Sequence, residues 1–280
     1  MVDDGWKVGG PALLRGFCHG CADRAPRTAV VVAHPDDEVI GAGARLSGLT
    51  PVLLVHVTDG APRDPGDAQR AGCATRAAYA ALRAAERDAA ADLLGIPAAS
   101  RRQLPVADQE AALDLQCLAL RCAILLFESR ADLVLTHAYE GGHPDHDATA
   151  FAVHAACALL RRAGGAAPVV AELTAYHARD GGMAVGRFLG GAAGPEIVLP
   201  LDGDARTRKQ RLFDCYGSQQ PVLAQFPIGE ERFRLAPAYD FRRPPHEGTL
   251  YYERFPWGMT SDRWCALAGD ALCTLGRAMA

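Results

Sequence analysis

Short, unbroken apolar runs set between helical stretches restrict the fold of this chain more than any other feature. Thr28-Ala-Val-Val-Val-Ala33, Pro51-Val-Leu-Leu-Val-His-Val57 and Leu133-Val-Leu-Thr136 are such runs; a longer one covers 169–176 and a weaker one falls at 101–106. A strand with one face in water alternates apolar and polar residues. A run without alternation needs cover on both faces, the condition of a parallel strand inside a sheet. The segments between read as helices, at 35–47, 74–94, 108–130 and 144–162. Residues 74–94 are rich in Ala, Arg and Leu and are stopped by Gly95, good helix formers followed by a terminator. Within 108–130, Leu113, Cys117, Leu120, Ile124 and Phe127 recur at spacings of three and four, which marks one face of a helix. Strands alternating with helices of this length predict an α/β fold, a mostly parallel sheet with helices on both faces.

The ends of the chain read differently. Residues 1–27 are irregular and polar, an N-terminal arm, and 61–72 form a loop. From about 195 to 280 the chain is less regular, with a helix at 204–216, prolines at 237, 244 and 245, and a last helix near 261–278. With no internal repeat and no low-complexity linker, residues 1–280 are assigned to a single domain.

Charge and composition narrow the partners. The net charge is −4 and the only lysines are Lys7 and Lys209, so the clustered cations that phosphate backbones require are missing and no nucleic acid partner is expected. No apolar stretch reaches the length of a membrane span, and the first residues lack the apolar core of a signal peptide. A cytoplasmic protein without an integral membrane segment is the expectation. Nine cysteines are scattered, mostly in apolar helical patterns where a free thiol packs as a small hydrophobe. The pair in Cys18-His19-Gly20-Cys21 lacks a second ligand pair at zinc-site spacing and is read as a turn with reduced thiols. Gly41-Ala-Gly43 lies inside a predicted helix and lacks dinucleotide-binding spacing.

Chemistry concentrates at the carboxyl ends of two predicted strands, where open parallel sheets bind ligands. After the first strand comes His34-Pro35-Asp36-Asp37-Glu38; after the strand at 133–136 comes Glu140-Gly-Gly-His143-Pro144-Asp145-His146-Asp147. Pro35 and Pro144 suit a first helical position. Acidic residues early in a helix are common, but one carboxylate suffices for a cap, and capping requires no histidine. His34 and Asp37, three apart, fall on one side of a turn, and Asp36 projects elsewhere; His143 and His146 repeat that spacing. Together the segments offer two histidines and a carboxylate for one metal, with carboxylates and an imidazole to spare. Three N/O ligands plus an open water position describe catalytic zinc, which brings the pKa of a coordinated water to about 7. A spare carboxylate can act as base and a spare histidine can stabilise an oxyanion.

These two motifs together resemble the PIG-L (LmbE-like) family, whose members remove N-acetyl groups from glucosamine-containing glycolipids, thiol precursors and antibiotics, using zinc on a Rossmann-like fold. The likeness in element order covers about residues 28–220. It implies one Zn2+ per chain on His34, Asp37 and His146, with Asp36 as general base and His143 as a charged donor to the oxyanion. It further implies Asp145 as the group that orients His143 and keeps it protonated, and Glu38 as a support of the loop. The implied substrate is a small N-acetylated sugar or glycoside. Some members carry an assisting tyrosine two residues before the equivalent of His143; here that residue is Gly141, and Tyr139 is the nearest tyrosine. Asp59, Arg83, Tyr139 and Glu140 are candidate substrate contacts, and Tyr216, Ser218 and Gln219 in the C-terminal extension are candidates to close the pocket. The remaining histidines, His19, His56, His137, His154, His177 and His246, are read as structural. Two alternatives use the same residues: an amidohydrolase acting on a non-sugar acyl-amide, and a non-catalytic sugar-binding relative.

Overall fold

A computed structural model describes residues 9–20, 25–190 and 194–277. Along the chain run α1 (Gly10–His19), β1 (Thr28–Val32), α2 (Asp37–Leu46), β2 (Leu53–Pro62), α3 (Gly66–Arg70), α4 (Arg76–Leu93), β3 (Arg101–Asp108), α5 (Leu115–Ser129), β4 (Leu133–His137) and α6 (Pro144–Arg162). They are followed by β5 (Val169–Leu173), β6 (Tyr176–Arg179), β7 (Gly182–Val185), β8 (Ile197–Pro200), α7 (Gly203–Asp214), α8 (Gln220–Leu223), β9 (Glu230–Leu235) and α9 (Ser261–Arg277).

Seven strands form one sheet in the order β3-β2-β1-β4-β5-β9-β8. The first five are parallel, as the apolar runs predict. The strand order reverses between β1 and β4, and the crevice above such a switch point is where a doubly wound sheet binds its ligand. Along β1, Ala29 and Val31 face the layer that holds α5, α6 and α9, while Val30 and Val32 face the layer with α1, α2 and α7. Every β1 residue is buried, and each fully buried valine contributes about 1.5–3 kcal/mol.

The tail departs from expectation. β9 pairs antiparallel with β5 and β8 with β9, so the C-terminal extension completes the sheet instead of lying outside it. Glu-Glu-Arg-Phe-Arg-Leu of β9 carries too much charge to read as a core strand, yet Phe233 and the paired Glu231 and Arg234 are buried. The apolar run at 169–176 divides: β5 ends at Leu173, and Tyr176 opens a separate hairpin of β6 and β7.

Three further expectations change. The arm contains α1, docked through Leu14 and Phe17, with the Phe17 ring edge-on to Phe233 at 5.2 Å. Cys18 is buried, and burial pushes its thiol up to about 12, so it is an inert hydrophobe; Cys21 lies outside the described residues. The stretch at 61–72 contains α3. On α5 the predicted stripe points outward: Leu120, Ile124 and Phe127 are exposed, Phe127 by 65%. The face against α6 and α9 is instead Leu115, Leu118, Ala119, Cys122 and Leu126. Apolar residues occupy most of this helix's circumference, so periodicity alone selects no side.

Helix α2 is pinned from the tail by a buried ion pair. Lys209 Nζ donates to Ile40 C=O (2.7 Å) and to Glu231 Oε1 (2.9 Å), while Glu231 accepts the N–H groups of Ala44 (2.8 Å) and Arg45 (3.0 Å). Gly41 is required by contact: a Cβ there would lie 2.7 Å from Leu173. Among the described residues no helix is long and apolar enough to cross a membrane.

Candidate metal centre and its cavity

The first motif leaves β1 as a strained turn. Asp36, the residue before α2, has φ of 117°, a left-handed conformation that costs a non-glycine residue about 1–3 kcal/mol. Helix α2 therefore begins at Asp37, not at Pro35. Supporting contacts hold the strain. The Asp36 N–H donates to Glu38 Oε2 (3.2 Å), and its carboxylate accepts from Arg83 Nη2 (2.9 Å), a guanidinium that also donates to Pro35 C=O. Glu38 in turn accepts from Tyr216 Oη (2.6 Å) and lies 2.9 Å from His56 Nε2, the loop-supporting role expected of it.

The second motif is a tight loop closed by α6, with Pro144 at its first turn as expected. Asp147 Oδ1 accepts the N–H groups of Glu140 (3.2 Å) and Gly141 (3.1 Å). Gly141 has φ of 69°, and a Cβ there would stand 2.7 Å from Leu250, so the position of the assisting tyrosine admits no side chain in this chain. At Gly142 a Cβ would lie 2.0 Å from the Tyr176 carbonyl oxygen. His143 caps α6, with Nδ1 accepting the Asp145 N–H at 3.1 Å.

The two loops meet over the switch point. His34 Nδ1 and His146 Nε2 each lie 3.2 Å from a carboxylate oxygen of Asp37, and one donor atom from each of the three falls within 4.8 Å of the others. Two imidazoles around an ionised carboxylate form a donor set suited to a borderline-soft divalent ion. Burial lowers His34, but Asp108 overrides it and raises the imidazole well above its ordinary value, so an ion binding there displaces its proton. Burial pushes the Asp37 carboxyl up, but the His146 and His137 imidazoles override it and hold it well below the usual carboxylate range. Asp36 stays outside this set. Burial raises its carboxyl to about 7, against the Arg83 guanidinium, which lowers it. A cavity of about 160 Å³ opens on these residues, with Asp108, His143, Tyr176, Gln219, Val222, Phe226 and Trp257 among its walls.

Several predicted contacts are placed elsewhere. Arg83, by contrast, lines the cavity; it is 2% exposed, its Nη groups donate to Asp36, Pro35 and Glu86, and from there it positions the Asp36 carboxylate. Asp59 accepts from Arg76 (2.5 Å) and from the Ala61 N–H (3.0 Å), and lines a neighbouring depression. Tyr139 is buried among Tyr239, Phe241 and Trp264, donating to Arg243 C=O (2.8 Å). Glu140 accepts the Leu189 N–H (2.6 Å) and faces Arg234 (3.4 Å). The Asp145 carboxylate lies near His143, with an oxygen within 4.8 Å of a ring nitrogen, but its hydrogen bonds go elsewhere. It accepts the N–H groups of Gln109 (2.6 Å) and Ala111 (3.0 Å) and approaches His34 Nε2 (3.4 Å). His143 is accordingly not held protonated: burial, then the His34 charge, brings its imidazole well below the ordinary value. With Nδ1 accepting, the neutral ring carries its proton on Nε2. In the extension, Gln219 reaches the cavity, while Tyr216 serves Glu38 and Ser218 Oγ donates to Glu86 (2.7 Å).

Asp108, which lies in neither motif, joins the site: its Oδ1 is 3.1 Å from His34 Nε2 and 3.8 Å from His143 Nε2. It ends β3, the same carboxyl-end position that marked the two motifs, and that was its signal. His137 is structural as expected, yet belongs to the site: it stacks on His146 with centroids 4.0 Å apart and accepts the Ala33 N–H at 3.0 Å.

Behind the histidine loop, Glu140 and Glu172 flank Arg234, whose Nε donates to Glu172 at 2.6 Å. Burial raises Glu172 to about 7 from its ordinary 4.5, despite Arg234. Between those values the folded chain binds the extra proton, so this group's contribution to stability falls as pH rises from about 4.5 to 7 and is level above. Glu172→Gln should flatten that part of the stability–pH curve, measured by urea unfolding at pH 5 and 7.5; an unchanged slope would reject the assignment.

Residues 29–157 match the family model described as PIG-L: GlcNAc-PI de-N-acetylase. Over those residues, somewhat under half of the chain, the sequence resembles the PIG-L family. The match contains both candidate metal-site loops and ends inside α6, so the cavity walls from Tyr176 onward lie outside it. No curated protein matches by sequence. Similar solved structures include the A40926 pseudoaglycone deacetylase Dbv21, at 22% identity, TM-score 0.58, covering 76% of this chain and 97% of that one. The N,N'-diacetylchitobiose deacetylase of Pyrococcus horikoshii matches at 19% identity, TM-score 0.54, over 85% and 95% of the two chains. GalB, a 4-carboxy-2-hydroxymuconate hydratase of Pseudomonas putida, matches at 18% identity, TM-score 0.50, over 76% and 98%. At such identities the likeness describes the Rossmann-like PIG-L fold, and the hydratase shows that the fold alone does not name a reaction.

Proposed function

We propose that this protein is a zinc-dependent hydrolase that removes the acetyl group from an N-acetylated amino sugar or an N-acetylglucosaminyl conjugate. The observation that carries the reading is geometric: the His34–Asp37–His146 donor set faces the cavity with a buried carboxylate, Asp36, beside it and outside the set. A carboxylate so placed is within reach of a water on the ion and can act as its general base. His34, Asp37 and His146 would hold one ion per chain. When bound, zinc supplies Lewis acidity and brings the ionisation of water near neutral pH.

The chain's own residues then divide the work. Asp36 takes a proton from the attacking water while Arg83 fixes the carboxylate's position. His143 directs its Nε2–H to the former carbonyl oxygen as negative charge gathers there, and a neutral donor serves this purpose. As the C–N bond breaks, Asp36 returns its proton to the departing amine, leaving acetate and a free amino sugar. Asp108 and Asp145 keep the His34 ring oriented through its far nitrogen, the usual arrangement behind a metal-binding imidazole.

The direct test is acetate release by zinc-loaded protein from a panel of N-acetylated sugars and non-sugar acyl-amides. His146→Ala should weaken zinc binding by at least about tenfold, as the loss of even a supporting group does, measured by competition with a chromogenic chelator. Unchanged affinity would remove His146 from the ligand set, and protein that takes up no divalent ion would favour a sugar-binding relative.

A further inference from the structure

The reading above leaves open what is attached to the sugar, and the cavity mouth bears on that. An arc of aromatic rings starts at one metal-site histidine and returns to another. Tyr176 stands edge-on to His146 at 5.3 Å, and Tyr251 lies 5.6 Å from Tyr176. Phe255 is 5.4 Å from Tyr251, and Trp257 stacks on Phe255 at 4.5 Å with the ring planes 15° apart. Trp257 then approaches the His143 ring at 4.9 Å. Tyr176 and Trp257 line the cavity, while Phe255 is 36% exposed. Val222, 41% exposed, and Phe226 add apolar wall to the same cavity.

This ledge is built firmly. The Tyr251 N–H donates to Gly141 C=O (2.9 Å), tying the arc to the histidine loop. Glu253 accepts the N–H groups of Leu250 (2.7 Å) and Ser261 (2.8 Å), and Tyr252 is fully buried beneath. Arg254, the cationic residue between Tyr251 and Trp257, donates to Gly181 C=O (2.9 Å). A stacked pair of large aromatics held at the rim of a polar cavity forgoes burial unless something covers it. The cavity, about 160 Å³, has room for an acetamido group and part of the sugar that bears it, so the rest of a glycoside passes over the rim.

We propose that the Phe255–Trp257 ledge binds a flat aromatic aglycone, so that the substrates are aryl glycosides of an N-acetylated amino sugar and not the free sugar. The proposal rests on the deacetylase reading for its substrate, but the ledge can be tested apart from turnover. Methyl, octyl and phenyl glycosides of N-acetylglucosamine are compared as substrates, by acetate release, and as ligands of the zinc-loaded protein, by calorimetry. The quantity read is the phenyl-to-methyl ratio within each variant, which cancels any change in basal activity. In the parent protein the ratio in kcat/KM and in affinity should be about tenfold, the scale of one aromatic stacking contact plus its buried area. In Phe255→Ala and Trp257→Ala it should fall toward one, and Trp257→Phe should restore part of it. A parent ratio near one, or a ratio that survives both alanine variants, overturns the proposal, as does an octyl glycoside favoured equally with the phenyl. If no glycoside releases acetate, the reading of the reaction fails, and a tenfold affinity ratio lost in Trp257→Ala would still uphold the ledge.

Discussion

Asp36→Asn should leave a folded, zinc-binding protein with turnover reduced about 10²- to 10⁴-fold, the range a positioned general base contributes. The asparagine preserves the shape and can still accept from Arg83 Nη2, which lies 2.9 Å from the Asp36 carboxylate, but it cannot take a proton from water. Two measurements are needed together: the zinc content of the purified variant, and the steady-state rate on the best glycoside found for the parent. Loss of zinc along with loss of rate would make Asp36 a ligand instead of a base. Retention of more than about a tenth of the parent rate would remove it from the chemistry. Its φ of 117° gives a second, independent signature. Asp36→Gly relieves the left-handed strain but leaves buried Arg83 with Glu86 as its carboxylate partner, so it should be as inactive as the asparagine variant and lose less stability than Asp36→Ala, which gives up the same carboxylate and keeps the strain.

Glu231→Ala is expected to cost the fold about 3–5 kcal/mol, since it strands the Lys209 ammonium in the interior. Lys209 is 1% exposed, and its remaining partner would be the Ile40 carbonyl. The substitution also leaves the Ala44 and Arg45 N–H groups without their glutamate acceptor. Urea unfolding measures the loss. The double variant Lys209→Met with Glu231→Leu should recover a large part of it, because removing both charges abolishes the desolvation cost that one alone leaves behind. A single-variant loss below about 1 kcal/mol would mean that water reaches the lysine.

What the sequence disclosed follows from how each part is encoded. The parallel strands β1, β2 and β4 are written as contiguous apolar runs, and the candidate metal-site loops directly follow β1 and β4, so spacing alone brought His34, Asp37, His143 and His146 forward. Asp108 and Trp257 lack such a local signature: each stands alone in its segment and becomes part of the cavity only through strand order or a return of the tail. Glu140 and Tyr139 were singled out by their nearness to His143, but nearness along a loop says nothing of direction, and both point into the packing behind it. The antiparallel strand β9 was hidden for a different reason: its charges are neutralised by partners distant in the chain, Glu172 for Arg234 and Lys209 for Glu231. The outward stripe on α5 is the same difficulty in reverse, an apolar face whose orientation depends on neighbours.

Trp264, fully buried in α9, donates its indole N–H to the Pro144 carbonyl at 3.2 Å, across 120 positions of sequence. During synthesis both histidines of the second loop therefore leave the ribosome long before the residue that braces them. A nascent chain holds His34, Asp37 and His146 by the time α6 is complete, but the Pro144 carbonyl gains its indole donor only when the last helix arrives.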